Sequence, residues 1–282
     1  MSVSYDLNDC LERVDEVGLF PKAAMRILHL TRSPSATLDD LEGAVAMDGI
    51  LAGRVLKVAN SPLFGRRVRI GTLRHAVQML GFSGTRDLAI ALAVSGVTQD
   101  KGPWGENLWR HAEATAWTCR VLGSHIRRMD PDAMFVAGLL HDLGQQLLLG
   151  LERDRTTELL DQFEAHSALI LKAETMHHGF NHAQLGAACL RRWKLPLAAA
   201  ELVELHHQPV AEAGPQPSDA RARATLEISD AVAEPLLNGM SADDLLGRAQ
   251  AHSAYEHLHL AQGAVLGAFE QLVEHRSELF SD

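Results

Sequence analysis

Apolar residues recur along most of this chain at helical spacing. In KAAMRILHLT, residues 22–31, they fall three and four apart behind Pro21, a residue suited to a first helical turn. SPSATLDDLEGAVAMD predicts a loop and then a helix with Thr37 as N-cap, where Asp39 and Asp40 in the first turn suit the helix dipole. ILAGRVLKVANS predicts a third helix, halted at Asn60-Ser61-Pro62. A fourth is expected from Thr72 to Gly81 and a fifth from Thr85 to Val97. TQDKGPWG, residues 98–105, then breaks the composition and separates these five short helices from a second set.

Beyond the break, long helices are expected over 106–129 and 131–149, and one or two more over 152–179. Another runs from near His182 to before Pro196, and the next ends at His207. QPVAEAGPQPS, residues 208–218, reads as a second linker-like stretch. Residues 219–238 and 255–277 read as two last helices joined by a short one. The pattern is that of an all-α protein without internal repeats.

Composition agrees. Apolar residues make up 46% of the 282, enough for a real core, and aromatics only 5%, so Ala- and Leu-rich helices fit better than β-branched strands. The formal charge of −10 disfavours nucleic acid, leaving RRVR at 66–69 as a short basic patch that solvation alone explains. Cys10, Cys119 and Cys189 form neither a CxxC nor an even disulfide set, which points to a reducing compartment, the cytoplasm by default. No stretch holds the ~18 uninterrupted apolar residues of a membrane helix, and the acidic MSVSYDLNDCLERVDE is no secretory signal.

Against this background AGLLHDLGQQLLLG, residues 137–150, sets His141 and Asp142 inside an apolar segment, where unpartnered burial would be costly. Imidazole suits zinc, iron or manganese, and a carboxylate can bridge two ions, yet a helix-end pair bonded to backbone would look the same. HHGFNH, residues 177–182, spaces His178 and His182 four apart, which would share a face if Gly179 did not interrupt the helix. His206-His207 stand before Pro209, where the dipole of a helix C-terminus favours histidine without any metal. His111 and Asp230 complete the set.

In this order, H, HD, H, HH and D, the residues resemble the HD superfamily of metal-dependent phosphohydrolases. The first half is similar to the HDOD domain, the HD-related output domain of bacterial signalling proteins, through VANSPLFG at 58–65 and HAVQMLG at 75–81. The resemblance implies an all-α fold with an N-terminal five-helix subdomain and a C-terminal helical part. It divides the chain into an extension at 1–17, the HDOD-like domain at 18–210, and a helical segment at 211–282 packed on the same domain. It implies a divalent metal (iron, manganese or zinc) held by His111, His141, Asp142, His182, His206, His207 and Asp230. It also implies a regulatory module acting through a signalling protein partner rather than an enzyme. Two departures weigh against hydrolysis: Gln145 stands where active cyclic-dinucleotide hydrolases read lysine, and QPVAEAGPQPS replaces their GYP stretch. The alternatives are a metal-dependent phosphohydrolase, or a sensor that binds a cyclic dinucleotide or other nucleotide without chemistry.

Overall fold

The structure, a computed structural model, describes residues 6–16, 21–30, 33, 35–64, 70–95, 102–163, 167–195, 197–210 and 220–280. The RRVR patch, residues 98–101 of the first break and 211–218 of the second lie outside the described residues. Among those described, every regular element is a helix.

The first helix, α1 (Leu7–Glu16), falls in the segment read as an extension. Cys10, Leu11 and Val14 form its buried face, and it packs on α11 (His182–Arg192) and α8 (Leu143–Leu151). Arg13 pairs with Glu152 at 2.9 Å and Asp15 with Arg192 at 2.6 Å. With only one narrow apolar stripe in ten residues, its hydrophobic pattern is too short to stand out from the surrounding charge.

Then follow α2 (Lys22–Leu30), α3 (Leu38–Ala46) and α4 (Gly49–Ala59). Thr37 caps α3 reciprocally with Asp40, and the Asp48 carboxylate caps α4 by accepting from Ile50 and Leu51. The expected fourth and fifth helices follow one another directly within α5 (Leu73–Ser95), parted where Gly81 leaves helical backbone at φ 70°, ψ 179°. Glycine admits that conformation, so the first of the two stops at Gly81 as expected and the second starts straight after it on a turned axis, earlier than Thr85. After α4, Asn60 donates through Nδ2 to the carbonyls of Leu56 and Ile70, both at 2.9 Å, and accepts from the Ile70 amide at 2.7 Å. Arg120 also reaches the Leu63 carbonyl. Residues 58–64 of VANSPLFG are therefore a joint, the asparagine a clamp on the chain ten residues on.

The centre of the molecule is α6 (Pro103–Ser124), which packs against α7 (Pro131–Leu140), α13 (Ala220–Leu237) and α15 (Gln262–Glu274). Contact with α7 is close. A Cβ on Gly138 would lie 2.7 Å from Ala116 Cα, so only glycine admits this crossing. The expected helix over 131–149 is broken at His141-Asp142 into α7 and α8. Pro131–Leu151 has the length and hydropathy to cross a membrane, but these are two short helices, and 89% of the apolar window is buried within this fold. Next come α9 (Arg153–Phe163), α10 (Ser167–His178) and, after α11, α12 (Leu197–Leu205). The last segment holds α14 (Ala242–Ala251), a 3-10 turn at Tyr255–Leu258, α15 and α16 (Arg276–Phe280). The expected helix over 255–277 is thus divided, and α15 buries Val265, Ala268, Phe269 and Leu272 in the main core.

Candidate metal centre

Asp142 occupies the N-cap position of α8, where an aspartate ordinarily accepts from the helix's first amides. Asp48 and Asp130 do so, but the Asp142 side chain makes no such bond. Its two oxygens face two groups of imidazoles instead. Oδ2 lies 3.0 Å from His141 Nε2 and 3.7 Å from His111 Nε2, while Oδ1 lies 3.4 Å from both His182 Nε2 and His206 Nε2. On the first side His111 Nε2 meets Asp230 Oδ1 at 3.0 Å, and on the second His182 Nε2 meets His207 Nε2 at 2.8 Å. The structure therefore brings together all seven residues singled out by the sequence pattern: His111, His141 and Asp142 in one group that could hold a metal ion, Asp142, His182, His206 and His207 in another, and Asp230 against His111.

Each buried imidazole is oriented from behind. His141 Nδ1 donates to the Gly138 carbonyl (2.7 Å) and His206 Nδ1 to the Val203 carbonyl (2.6 Å). His182 Nδ1 donates to Glu174 Oε2 at 2.8 Å, and the same oxygen accepts the His182 backbone amide. These bonds fix the tautomer and turn Nε2 toward the centre, the arrangement that metal-binding histidines use. Nε2 of His141 and of His206 is buried and makes no well-aligned hydrogen bond, each facing an Asp142 oxygen at 3.0 and 3.4 Å. Buried polar atoms are rarely left without a well-aligned partner, and an ion between the carboxylate and the imidazoles would supply one. A nitrogen- and oxygen-rich set suits zinc, iron or manganese.

Electrostatics follow the same division. Burial lowers the His141 pKa, but the Asp142 and Asp230 carboxylates outweigh it and raise the group to about 9. Burial also opposes ionisation of Asp142, yet the surrounding imidazoles hold its carboxyl well below the usual range. Asp230 is likewise depressed, by His111 and His141 against burial. For His182, Glu174 overcomes burial and raises the pKa, whereas burial lowers His206. His207 is driven to about 2 by burial and by the neighbouring His206 and His182, leaving a neutral imidazole. The floor is closed, with the His141 and His206 side chains fully buried. The rim is open at His111 (21% exposed) and Asp230 (27%).

Local sequence explains these placements. Gly179, at φ 80°, ends α10, and Asn181 caps α11 with Gln184 in a reciprocal box, so His182 begins a new helix. His178, four residues earlier, does not share its face and turns to Glu152 at 3.8 Å and the Phe180 ring. His206 does both things expected of its position, bonding a last-turn carbonyl through Nδ1 and facing the centre through Nε2. Sequence reasoning missed Glu174. Its only signal is an acid on the apolar side of α10, eight residues before the histidine it holds. Gln145, buried, lies one turn into α8.

Glu227, also missed, sits three residues before Asp230. Burial pushes its carboxyl up to about 7, with Arg223 opposing. A carboxyl raised on folding favours the native state while protonated. The contribution is whole below about pH 4, falls as pH rises through the interval up to about 7, and is gone above it. Glu227→Gln should therefore flatten the loss of stability over that interval, on the order of 3 kcal/mol, in urea titrations at fixed pH values.

A helical body that gathers H, HD, H, HH and D into one cluster has the pattern of an HD-type protein. A family model for the HDOD domain matches residues 17–209, and the chain belongs to that family. Asp230 lies beyond the matched region. A structure of an HDOD domain protein of unknown function from Geobacter sulfurreducens superposes with a TM-score of 0.67 at 23% identity, covering 98% of each chain. A candidate phosphohydrolase from Shewanella amazonensis gives 0.73 at 21% identity, covering 96% of each. An uncharacterised protein of Treponema pallidum (strain Nichols) is 24% identical over 200 residues. That match takes in 70% of this chain but 38% of the relative's length.

Proposed function

We propose that this chain is a metal-holding signalling output module, which uses a buried two-ion site to set its shape and acts by contact with a partner protein. The observation carrying the metal half is the division of Asp142 between two sets of imidazoles whose Nε2 atoms turn toward its two oxygens. His111, His141 and Asp230 would hold one ion, His182, His206 and His207 the other, and Asp142 both. Iron, manganese or zinc, when bound, would supply Lewis acidity and a water of lowered pKa.

The regulatory half rests on membership of the HDOD family and on Gln145. A lysine at that place could hold a phosphate by charge, and a carboxamide offers only neutral hydrogen bonds. A second reading, a metal-dependent phosphohydrolase, is favoured by the completeness of the ligand set and by the open His111–Asp230 rim, where a phosphate could enter. The Shewanella amazonensis protein of the same fold is itself described as a candidate phosphohydrolase. A third, sensing of a cyclic dinucleotide without turnover, needs only the rim. All three cysteines are buried and unpaired, in keeping with a reducing, cytoplasmic setting.

Protein purified without chelator should carry about two ions per chain by elemental analysis. It should hydrolyse cyclic dinucleotides, nucleotides and generic phosphoesters no faster than its Asp142→Asn variant. In-cell crosslinking should join the unmutated chain, and not that variant, to one reproducible protein. Hydrolysis that disappears with Asp142→Asn would establish the second reading. Calorimetric binding of a cyclic dinucleotide without turnover would establish the third, and absence of metal would remove the site from all three.

A further inference from the structure

The helix α13 presents Arg223, Glu227 and Asp230 at spacings of four and three, a single stripe along one face. Asp230 belongs to the cluster, and the other two are hidden, Arg223 at 3% exposure and Glu227 at 6%. Charged side chains are seldom buried so fully unless they answer to something. Both reach the chain that follows the paired histidines. An Arg223 guanidinium nitrogen donates to the Gln208 carbonyl at 2.7 Å, and the Glu227 carboxyl stands by the Val210 amide, which favours its charged form. Gln208 is the residue after His207, and Val210 is itself buried.

These contacts do little for stability alone. Nε of Arg223 and Oε1 of Glu227 are buried without hydrogen-bond partners, so the pair leaves polar atoms unpaid in the interior. Two apolar residues of similar volume would pack α13 without that penalty. What they could not do is fix the backbone at 208 and 210 by directed bonds.

We infer that Arg223 and Glu227 are positioning residues that tether the segment carrying His206 and His207 to the helix carrying Asp230, and so hold the two ligand sets in register. The inference rests on the metal-site reading for its consequence, but the tether is a property of the metal-free chain. Its immediate effect is on His207, one residue from the anchored Gln208 and turned to His182 at 2.8 Å. A loosened segment would let this imidazole leave the centre. His111 and His141 lie on or beside α6 and α7, which are held to α13 by helix packing rather than by these two bonds.

The test compares Arg223→Met, Glu227→Gln, Glu227→Leu and the double variant Arg223→Met/Glu227→Leu, the last as an all-apolar control that folds even if a single unpaired charge does not. In metal-free protein, amide hydrogen exchange across 206–210 should be at least about tenfold faster in the double variant, with exchange in α6 unchanged. Cobalt(II) titration, followed by its visible absorption, should show the weaker of the two ions bound about 10–100-fold less tightly. Glu227→Gln, which keeps an acceptor for the Val210 amide, should restore both readouts. Unchanged exchange in the double variant would overturn the tether. Faster exchange with two cobalt ions bound as tightly as before would overturn its role in register. Faster exchange in a chain whose unmutated form binds no cobalt would instead remove the metal-site reading and leave the tether standing.

Discussion

Asp142→Asn protein, purified without chelator, is expected to hold about a tenth or less of the metal found with the unmutated chain. Loss of a group that merely orients a ligand costs 10–100-fold in affinity, and this substitution removes the bridging charge and one of its two oxygens. Both sides feel it, because Oδ2 serves the His111–His141 side and Oδ1 the His182–His206 side, and a neutral amide cannot serve both as an anion does. Both ions should therefore go together. The fold should survive, since Asp142 gives α8 no capping bond to lose, and the helical circular dichroism of the two proteins should coincide. His178→Gln, four residues before a ligand but turned to Glu152, is the matched control and should keep its metal. A variant that retained one ion at full affinity would show that the carboxylate does not join the two sets.

The other large effect is expected where no side chain exists. At Gly144 an added Cβ would fall within the carbonyl group of His182 and 2.9 Å from the Gly186 amide nitrogen. Both neighbours are backbone, which cannot rotate away. Gly186 faces it in turn, so α8 and α11 meet on two glycines, and this crossing sets the distance from Asp142 to His182. Overpacking of flexible cores costs typically 1–3 kcal/mol, and rigid main chain on both sides should take Gly144→Ala beyond about 3 kcal/mol. Thermal unfolding should fall by roughly 10 °C or the protein should fail to fold. Gly53→Ala, within α4 and with no atom within 4 Å of the new carbon, should do the reverse and stabilise by about 0.5–1 kcal/mol. Both would be read from urea denaturation, and equal behaviour would mean that α8 and α11 do not cross on glycine.

How far these features could be read beforehand depended on their range in sequence. Caps are local, so Thr37 before Leu38 and the halt at Asn60 could be seen in the residues themselves. The seven cluster residues were legible through their order along the chain, which a family resemblance supplied and spacing alone did not. What escaped was nonlocal. Nothing near Glu174 marks it as the partner of a residue beginning the next helix, and nothing near Gly144 announces Gly186 forty-two positions on. The break at His141-Asp142 escaped for a different reason. Its flanks are apolar on all sides, buried as they are, and a helix without a polar face gives periodicity no purchase.

His111 and Asp230 meet at 3.0 Å although 119 residues separate them along the chain. Ions seated in such a cluster would act as a reversible cross-link closing a very long loop, absent from the unfolded state and present in the native one. Release of metal and global unfolding would then share one barrier, and the lifetime of the folded chain in a cell would track the free metal concentration around it.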